Sequence, residues 1–435
     1  MQDESSTALP RFVIIPEPAR VDETVNIRLI YLLPEQLVTL RMTICDEMGR
    51  IWDSWAMFRA NTHGVVDVSE QPPLAGSYTE CDAMGLFWSL QPLNATPSSA
   101  FSPFKSISIA PLSYELSAEV ANQRIAVARH ERFFWNEQQV RRQPLSEHGL
   151  IGTMFTPRKF GSFPCLLLLS GSSGALREQE AALLATYGYV VVALAYFGVN
   201  SLPSHLQEIP LEYFIKAVQW LRHIDVVAHQ KIAVIGISKG AEGALLLGAT
   251  VSEIAAVVAY APSAYVYQGL GEKVTSSWSY HDQPLPFVTY KPAPIFEAYE
   301  KRQLAEGAPI AYRTLYLETL QHTDELARAA ILVERIQGPI LLISGEDDQM
   351  WPGTLFAEEI EQRLRHHHHP YWHQHVSYAH AGHKIGMPNV STTLTQLRHQ
   401  FSGSINDYGG TPQGNARASA HSWQMLLTFL KHHMH

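Results

Sequence analysis

The chain contains 435 residues, of which 46% are hydrophobic and 17% are charged, and its formal net charge is −9. This length is more than one ordinary hydrophobic core organises, so we expect two domains. The acidic balance and the lack of a basic run argue against a nucleic-acid-binding protein. No run approaches the ~18 consecutive apolar residues of a membrane span. These features are typical of a soluble metabolic protein.

The cysteines and the N-terminal residues indicate the cellular compartment. Cys45, Cys81 and Cys165 are odd in number and lack metal-type spacing, so we expect buried thiols in a reducing compartment, without a disulfide framework or a zinc site. The first residues, MQDESSTALP, are acidic and polar, whereas a secretory signal begins with positive charge followed by an apolar run. We therefore expect a cytoplasmic protein.

The N-terminal part of the chain alternates short strand-like runs with turns. From Phe12 to Ile109, runs such as VNIRLIYLL and VTLRMTICD are separated by turn sequences such as DEMGR and NTHG. This pattern predicts six or seven antiparallel strands in an immunoglobulin-like β-sandwich, which we assign to residues 1–125. The polar stretch that follows, from SYELSAEV to RRQPLS, is expected to be partly helical.

The pattern of apolar and polar residues changes after Gly161. Wholly apolar runs such as FPCLLLLSG, YVVVALAYFG and KIAVIGIS alternate with helical segments such as LEYFIKAVQWLRH. Strands that are apolar on both faces form parallel sheets covered by helices. Residues 126–435 are therefore predicted to form an α/β domain.

Ser238 occupies the sequence Gly236-Ile237-Ser238-Lys239-Gly240, directly after an apolar strand and before a helix. Small residues two positions before and after the serine permit the sharp turn of a nucleophile elbow, which exposes the hydroxyl at the carboxyl edge of an α/β-hydrolase sheet. The alternative is an ordinary glycine-rich turn with a solvated serine. The position after an apolar strand favours the nucleophile.

A nucleophilic serine needs a histidine base and an acid that orients the base. The strand GPILLIS ends in Gly-Glu-Asp347-Asp348, and the strand HQHVSYA ends in His380-Ala-Gly-His383. Asp348 and His383 are therefore the candidate acid and base. Spacing alone does not separate Asp347 from Asp348, either of which could cap a helix, and His380 competes with His383.

A histidine-rich segment suggests a metal site at first sight. It runs from Arg365 to Pro370 with four consecutive histidines and continues with His373 and His375. No carboxylate or cysteine accompanies it at a ligand spacing, so a solvated loop that binds metal adventitiously is the better interpretation. We expect no metal in the site.

Two backbone N–H groups are candidates for the oxyanion hole. One belongs to Lys239, the residue after the nucleophile, and the other to the loop Gly171-Ser172-Ser173-Gly174, where we assign Ser172. The side chain of Lys239 is expected to point to solvent or to pair locally, and we give it no catalytic role.

The sequence resembles the family of type I acyl-CoA thioesterases and bile acid-CoA:amino acid N-acyltransferases in five separate segments. The similar segments are GISKGAE, GEDDQMWP, HAGHKI, PLAGSYTECDAMGLFWSL in the first domain, and YGGTPQGNARASAHSW near the C-terminus. The loop SGSSGALRE departs from the longer glycine run seen in many members. The resemblance implies Ser238 as nucleophile, Asp348 as acid and His383 as base, and it favours Asp348 over Asp347.

The resemblance also implies the reaction. An acyl-CoA thioester would be hydrolysed through an acyl-serine intermediate, with no cofactor other than the CoA of the substrate itself. Members that conjugate amino acids tend to carry cysteine at the nucleophile position, so Ser238 favours hydrolysis over N-acyl transfer. A carboxylester or dienelactone-type hydrolase would use the same triad. A non-catalytic binding protein would normally have lost a triad residue. The oligomeric state is not set by the sequence.

One further segment interrupts the alternation of strands and helices. It runs from Ala264 to Glu318 and is rich in aromatic residues, prolines and lysines. It is either a cap over an acyl pocket or a surface excursion.

Overall fold

The computed structural model describes residues 8–96, 99–105, 108–146, 149–199, 201–399 and 402–435, with only the backbone described at 229 and 230. The chain divides into two compact units. The first comprises Met1–Phe134 and Met387–Leu394, and the second comprises Trp135–Gly386 and Thr395–His435. The predicted boundary at residues 125 and 126 falls inside the last long strand of the first unit, nine residues before Phe134.

The regular elements in the described part of the first unit are strands apart from one short helix, as predicted, but there are ten strands instead of six or seven, and one pair of them is parallel. Its elements in chain order are β1 (Arg11–Ile15), β2 (Ala19–Arg20), β3 (Asn26–Ile30), β4 (Leu37–Cys45), β5 (Ile51–Arg59), β6 (Val66–Asp67), β7 (Ala75–Gly76), α1 (Gly85–Trp88), β8 (Gln91–Pro92), β9 (Leu112–Val120) and β10 (Gln123–Phe133). They form a three-stranded sheet in the order β1-β3-β6 and a seven-stranded sheet in the order β2-β10-β9-β4-β5-β7, with β8 paired to β5. The immunoglobulin-like topology stays a prediction.

The stretch expected to be partly helical is extended instead. β9 and β10 form an antiparallel hairpin in which Val120 pairs with Gln123. The two residues between them, Ala121 and Asn122, have φ angles of 49° and 62°. A two-residue loop with both φ angles positive matches the twist of antiparallel strands, so it closes a hairpin. The helical prediction was wrong because polar side chains on the outer face of β10 hide the strand alternation.

The second unit contains strands and helices in alternation. Its elements are β11 (Val140–Leu145), β12 (Ile151–Pro157), β13 (Phe163–Leu169), α2 (Glu178–Ala185), β14 (Val190–Ala195), β15 (Ile209–Pro210), α3 (Leu211–Leu221), β16 (Val227–Ile237), α4 (Lys239–Thr250), β17 (Ile254–Tyr260), β18 (Trp278–Tyr280), β19 (Gln283–Pro284), α5 (Pro294–Glu306), α6 (Arg313–Thr319), α7 (Thr323–Ala329), a 3-10 turn (Val333–Arg335), β20 (Ile340–Gly345), α8 (Gly353–His366), β21 (His373–Tyr378), β22 (Gln396–Arg398), β23 (Ile405–Asp407) and α9 (Pro412–Met434).

The central sheet of this unit has eight strands in the order β11-β12-β14-β13-β16-β17-β20-β21. β12 runs antiparallel to β11 and β14, and the strands from β14 to β21 are parallel. This order and direction are those of the α/β-hydrolase fold, so the α/β prediction is confirmed. Every residue of β14 and β20 is buried, because helices cover both faces of a parallel sheet. The carboxyl ends of β16, β20 and β21 lie along one edge, where ligands bind in such sheets.

The burial of the cysteines differs from the prediction. All three are free, but only Cys165, in the middle of the sheet, is buried, whereas Cys45 and Cys81 are exposed. The expectation of buried thiols was therefore wrong for two of the three. Among the residues that the structure describes, no helix combines the length and apolar character needed to cross a membrane.

Candidate active site

Ser238 stands between β16 and α4 in a strained backbone conformation, with φ 56° and ψ −124°. An L-residue adopts this conformation only where the surroundings enforce it. A Cβ on Gly236 would come within 2.0 Å of the Gly240 carbonyl oxygen, and a Cβ on Gly240 would come within 2.2 Å of the Ser170 carbonyl oxygen. Both glycines are therefore required by backbone contacts, and the sequence Gly-x-Ser-x-Gly forms the predicted elbow.

The structure brings the three predicted side chains into one hydrogen-bonded chain. His383 Nε2 lies 2.9 Å from Ser238 Oγ, and His383 Nδ1 lies 2.7 Å from Asp348 Oδ2. Asp348 is fully buried and His383 is 6% exposed. With the proton on Nδ1, the imidazole donates to the carboxylate and its Nε2 is free to accept the serine hydroxyl proton.

The carboxylate of Asp348 is held by its own loop. Its Oδ1 accepts hydrogen bonds from the backbone N–H groups of Met350 at 2.8 Å and Trp351 at 3.2 Å. The competing residues are placed elsewhere: Asp347 and His380 face each other at 3.8 Å, with side chains 50% and 77% exposed. The geometry thus distinguishes Asp348 from Asp347, which spacing does not.

The segment Tyr408–Asn415, which we call the C-terminal strap, supports the loop that carries His383. The His383 N–H donates to the Tyr408 carbonyl oxygen at 2.7 Å. The Gly382 N–H donates to Asn415 Oδ1 at 2.8 Å. A Cβ on Gly409 would come within 1.9 Å of the Asp347 carbonyl oxygen, so the strap packs directly against the backbone of both the acid loop and the histidine loop.

Two backbone features near Ser238 suit an oxyanion hole. The N–H of Ser238 itself is not one of them, because it donates a hydrogen bond to the Tyr260 carbonyl oxygen at 2.9 Å. Lys239 is the first residue of α4, so its N–H has no acceptor within the helix, and the helix N-terminus favours negative charge. On the other side, a Cβ on Gly171 would lie 3.2 Å from Ser238 Cβ, and the next residue, Ser172, lines the same cavity as Ser238.

The side chain of Lys239 is buried, so the solvent-facing alternative was wrong and local pairing is correct. Its ammonium donates to Glu242 Oε2 at 3.0 Å and to Ser277 Oγ at 2.8 Å. Glu242 is fully buried, and its Oε1 also accepts from the Trp278 indole N–H at 2.8 Å. Burial lowers the pKa of Lys239 and raises that of Glu242, and their mutual attraction opposes both shifts.

A cavity of about 570 Å³ opens beside Ser238 and His383. Much of its lining comes from the segment 264–318, which favours the cap interpretation over a surface excursion. The apolar side chains of the lining include Leu270, Tyr290, Phe296, Leu315, Tyr316 and Trp351. This volume and lining are typical of a site that takes a small, largely apolar ligand.

The histidine-rich segment lies at the C-terminal end of α8 and continues into β21. Its members have separate partners: His373 Nδ1 is 3.1 Å from Glu361 Oε1, and His375 Nε2 is 2.8 Å from Ser344 Oγ. In the part of the chain that the structure describes, no three His, Cys, Asp or Glu side chains are grouped to hold a metal ion.

The sheet order, the elbow and the Ser-His-Asp arrangement together define an α/β hydrolase. Residues 209–435 match the family described as "BAAT / Acyl-CoA thioester hydrolase C terminal", and residues 22–147 match the "Acyl-CoA thioester hydrolase/BAAT N-terminal region". The chain belongs to the BAAT/acyl-CoA thioester hydrolase family, and the resemblance seen in the sequence motifs is confirmed.

Three curated relatives cover nearly the whole chain. Acyl-coenzyme A thioesterase 1 of Mus musculus is 33% identical over 94% of this chain and 93% of its own length. Acyl-coenzyme A thioesterase 2, mitochondrial, of the same organism is 32% identical over 94% of this chain and 86% of its own length. Acyl-coenzyme A amino acid N-acyltransferase 1 of Mus musculus is 31% identical over 98% of both chains.

Sequence reasoning missed the roles of two residues around the site. The first is the strap residue Asn415, which lies in the segment YGGTPQGN; its paired glycines, followed by the Thr411-Pro412 start of a helix, were the available signal. The second is Glu242, three residues after Lys239 on α4. A lysine and a glutamate at this spacing share a helix face, but nothing in the sequence indicates that this face is buried.

Proposed function

We propose that this protein is a serine hydrolase that cleaves acyl-CoA thioesters to a free carboxylic acid and CoA. The observation that carries the proposal is the hydrogen-bonded chain from Ser238 through His383 to Asp348 at the edge of an apolar cavity. The relatives named acyl-coenzyme A thioesterase supply the substrate class.

The first half of the reaction would form an acyl-serine. His383 Nε2 takes the proton of Ser238 as Oγ attacks the thioester carbonyl carbon, and Asp348 stabilises the resulting imidazolium. The tetrahedral oxyanion is held by the Lys239 N–H and by an N–H of the loop containing Ser172. The carbon–sulfur bond then breaks, and the CoA thiolate takes the proton from His383.

The second half releases the acid. Water enters, His383 takes one of its protons, and the hydroxide oxygen attacks the acyl-serine carbonyl carbon. Collapse of the second tetrahedral intermediate breaks the bond to Ser238 Oγ, which takes back the proton from His383. CoA is a good leaving group because a thiolate is weakly basic, so we expect deacylation to limit the rate.

The steps described use only the triad, two backbone N–H groups, water and the acyl-CoA itself, and we propose that the enzyme works without a metal or other cofactor. We also keep the cytoplasmic location as a proposal, since it rests on the sequence alone and one of the relatives is described as mitochondrial.

Release of thiol from a series of acyl-CoAs, from acetyl to palmitoyl, tests the proposal directly. Ser238→Ala and His383→Ala should each reduce kcat by about 10⁴-fold or more, and the double variant should lose little further, because the two residues act as one unit. Activity should persist in EDTA. If the wild-type protein released no thiol from any chain length, or if EDTA removed activity that zinc restored, the proposed chemistry would be wrong.

N-acyl transfer to an amino acid is the second candidate, because the N-acyltransferase relative matches 98% of this chain. An acyl-oxygen ester reacts with amines less readily than an acyl-sulfur ester, so an acyl-Ser238 should pass to water unless the amine is held in place. We expect free acid as the product in millimolar glycine or taurine, and Ser238→Cys should slow hydrolysis and raise any N-acyl product. Mass spectrometry of the products distinguishes the two; mainly N-acyl amino acid from the wild type would favour the transferase.

A carboxylester hydrolase is separated from a thioesterase by comparing an acyl-CoA with the p-nitrophenyl ester of the same acid. A thioesterase should prefer the CoA thioester in kcat/KM.

A further inference from the structure

Lys384 directly follows His383 and is not explained by the triad. Its side chain is exposed, and among the residues that the structure describes it makes no ion pair and no side-chain hydrogen bond. Its ammonium lies over the ring of Tyr408, 4.9 Å from the centroid. The Tyr408 carbonyl also accepts the His383 N–H. Both Lys384 and His383 therefore contact the same residue of the strap.

The Lys384 side chain is exposed to solvent and also packs against protein atoms, among them the Tyr408 ring. The protein atoms packed around it lower its pKa to about 8 by desolvation. The packed protein atoms weaken the solvation of the Lys384 ammonium but do not supply a counter-ion. An anion that arrives from solution can therefore reach this ammonium and pair with it.

Lys384 also lies close to the cavity. Burial lowers the pKa of His399, and the positive charge of Lys384 lowers it further, while a hydrogen bond to the Ser172 backbone opposes the shift. His399 and Ser172 both line the cavity beside Ser238. The Tyr408 ring under the Lys384 ammonium also lies 6.0 Å from the ring of His383, which lines the cavity, so the lysine is next to the His383 side of the cavity.

The charges of the cavity itself do not favour an anion. The other lysine, Lys239, is neutralised by Glu242, and Glu272 and Glu300 line the cavity with carboxylates. A substrate that carries several negative charges needs a cation to offset this arrangement. A lysine ammonium is a compact point charge suited to phosphate oxygens.

We propose that Lys384 is a specificity residue that binds a phosphate of the thiol half of the substrate, so that the enzyme selects CoA thioesters over uncharged thioesters. This assignment rests on the proposed thioesterase function. The lysine takes no part in bond making, and its contribution is to binding.

The test compares thioesters of one acyl chain that differ only in the thiol: acyl-CoA, acyl-4′-phosphopantetheine and acyl-pantetheine. Removal of the ammonium in Lys384→Gln should lower the kcat/KM ratio of acyl-CoA to acyl-pantetheine by roughly fivefold to tenfold, mainly through KM, as for one charge-assisted hydrogen bond. Lys384→Arg should keep most of the ratio. Acyl-4′-phosphopantetheine, which carries one phosphate, shows which phosphate is bound.

Lys159→Gln is the matched control. Lys159 is exposed and follows β12, which runs antiparallel to β14, so it lies at the opposite edge of the sheet from Ser238. This variant removes the same charge and should leave the ratio unchanged.

The outcomes separate the two proposals. If Lys384→Gln reduces turnover of charged and uncharged thioesters equally, or reduces neither, the phosphate assignment is overturned while thioester hydrolysis stands. A loss of the ratio in Lys159→Gln as large as that in Lys384→Gln would also overturn it, because the effect would then come from net charge. If the wild type hydrolyses none of the thioesters, the proposed function fails and the assignment fails with it.

Discussion

The Gly382 N–H donates a hydrogen bond to Asn415 Oδ1 at 2.8 Å, which connects the loop that carries His383 to the first turn of α9. Asn415 is 5% exposed, and its Nδ2 donates back to the Gly409 carbonyl oxygen at 3.4 Å. The amide thus joins the strap to the histidine loop through one hydrogen bond and closes the strap on itself through the other, and it reaches His383 only through the backbone.

Asn415→Ala should lower kcat by about 10- to 100-fold with little change in KM, because the loss of a buried hydrogen bond costs about 1–3 kcal/mol and here disturbs the base and not the substrate pocket. Asn415→Asp keeps the acceptor for Gly382 and should retain more activity. Steady-state thiol release with an acyl-CoA measures both. An equal change in kcat and KM, or a larger loss in Asn415→Asp than in Asn415→Ala, would contradict a positioning role.

The acid of the triad can be identified by a pair of adjacent substitutions. Asp348→Asn should reduce kcat by about 10⁴-fold, since the amide favours the wrong imidazole tautomer. Asp347→Asn, whose side chain is half-exposed, should remain near wild type. Circular dichroism checks that both variants are folded. The reverse pattern would assign the acid to Asp347.

Replacing Lys239 should lower the free energy of unfolding more than replacing its buried partner Glu242. Lys239→Met leaves a buried carboxylate without its cation and should lower the free energy of unfolding by about 3–5 kcal/mol. Glu242→Gln keeps an oxygen for the Trp278 indole N–H and leaves the ammonium its contact with Ser277 Oγ, so it should cost less. Urea denaturation of the two variants measures the difference. A smaller loss in Lys239→Met than in Glu242→Gln would contradict this ranking.

The preference for CoA thioesters should depend on pH through Lys384. The pKa of this lysine is lowered to about 8, so its charge is present below pH 8 and is lost as the pH rises through that value. The ratio of kcat/KM for acyl-CoA over acyl-pantetheine should fall between pH 7 and pH 9 in the wild type and stay flat in Lys384→Gln. Bound phosphate will move the midpoint upward, because an anion favours the charged lysine.

Two of the three titratable neighbours of Lys384 keep their charge between pH 7 and pH 9. The titratable groups that the structure places against it are His383, His399 and Tyr408. The pKa of His399 is lowered and that of Tyr408 is raised, in both cases mainly by burial, so neither of these two changes charge in this window. A wild-type ratio that stays constant from pH 7 to pH 9 would contradict the prediction.

The sequence was sufficient for those parts of the structure that follow from local patterns. Apolar strands bounded by glycines predict the central sheet, because a strand buried on both faces must be apolar throughout. The elbow at Ser238 is predictable because only glycine fits at positions 236 and 240. The hairpin of β9 and β10 was missed because its outer faces are polar and carry as much charge as an exposed helix would.

What spacing and local pattern alone could not predict depends on contacts between distant parts of the chain. Asp347 and Asp348 are neighbours in sequence, and they differ only because the backbone turns one carboxylate inward to His383. The burial of Lys239 depends on the segment containing Ser277 and Trp278, which folds over α4. The role of Asn415 depends on a strap that follows the histidine by many residues. Spacing along the chain carries no information on any of these contacts.

The strap also has a consequence for the order in which the protein is made. Ser238, Asp348 and His383 all leave the ribosome before Tyr408 and Asn415, and domains fold as their residues emerge. A nascent chain that has exposed the whole triad still lacks the carbonyl that accepts the His383 N–H and the amide that accepts the Gly382 N–H. The loop that carries His383 therefore lacks two of its hydrogen bonds until Tyr408 and Asn415 have been synthesised, so we expect full activity only after that point.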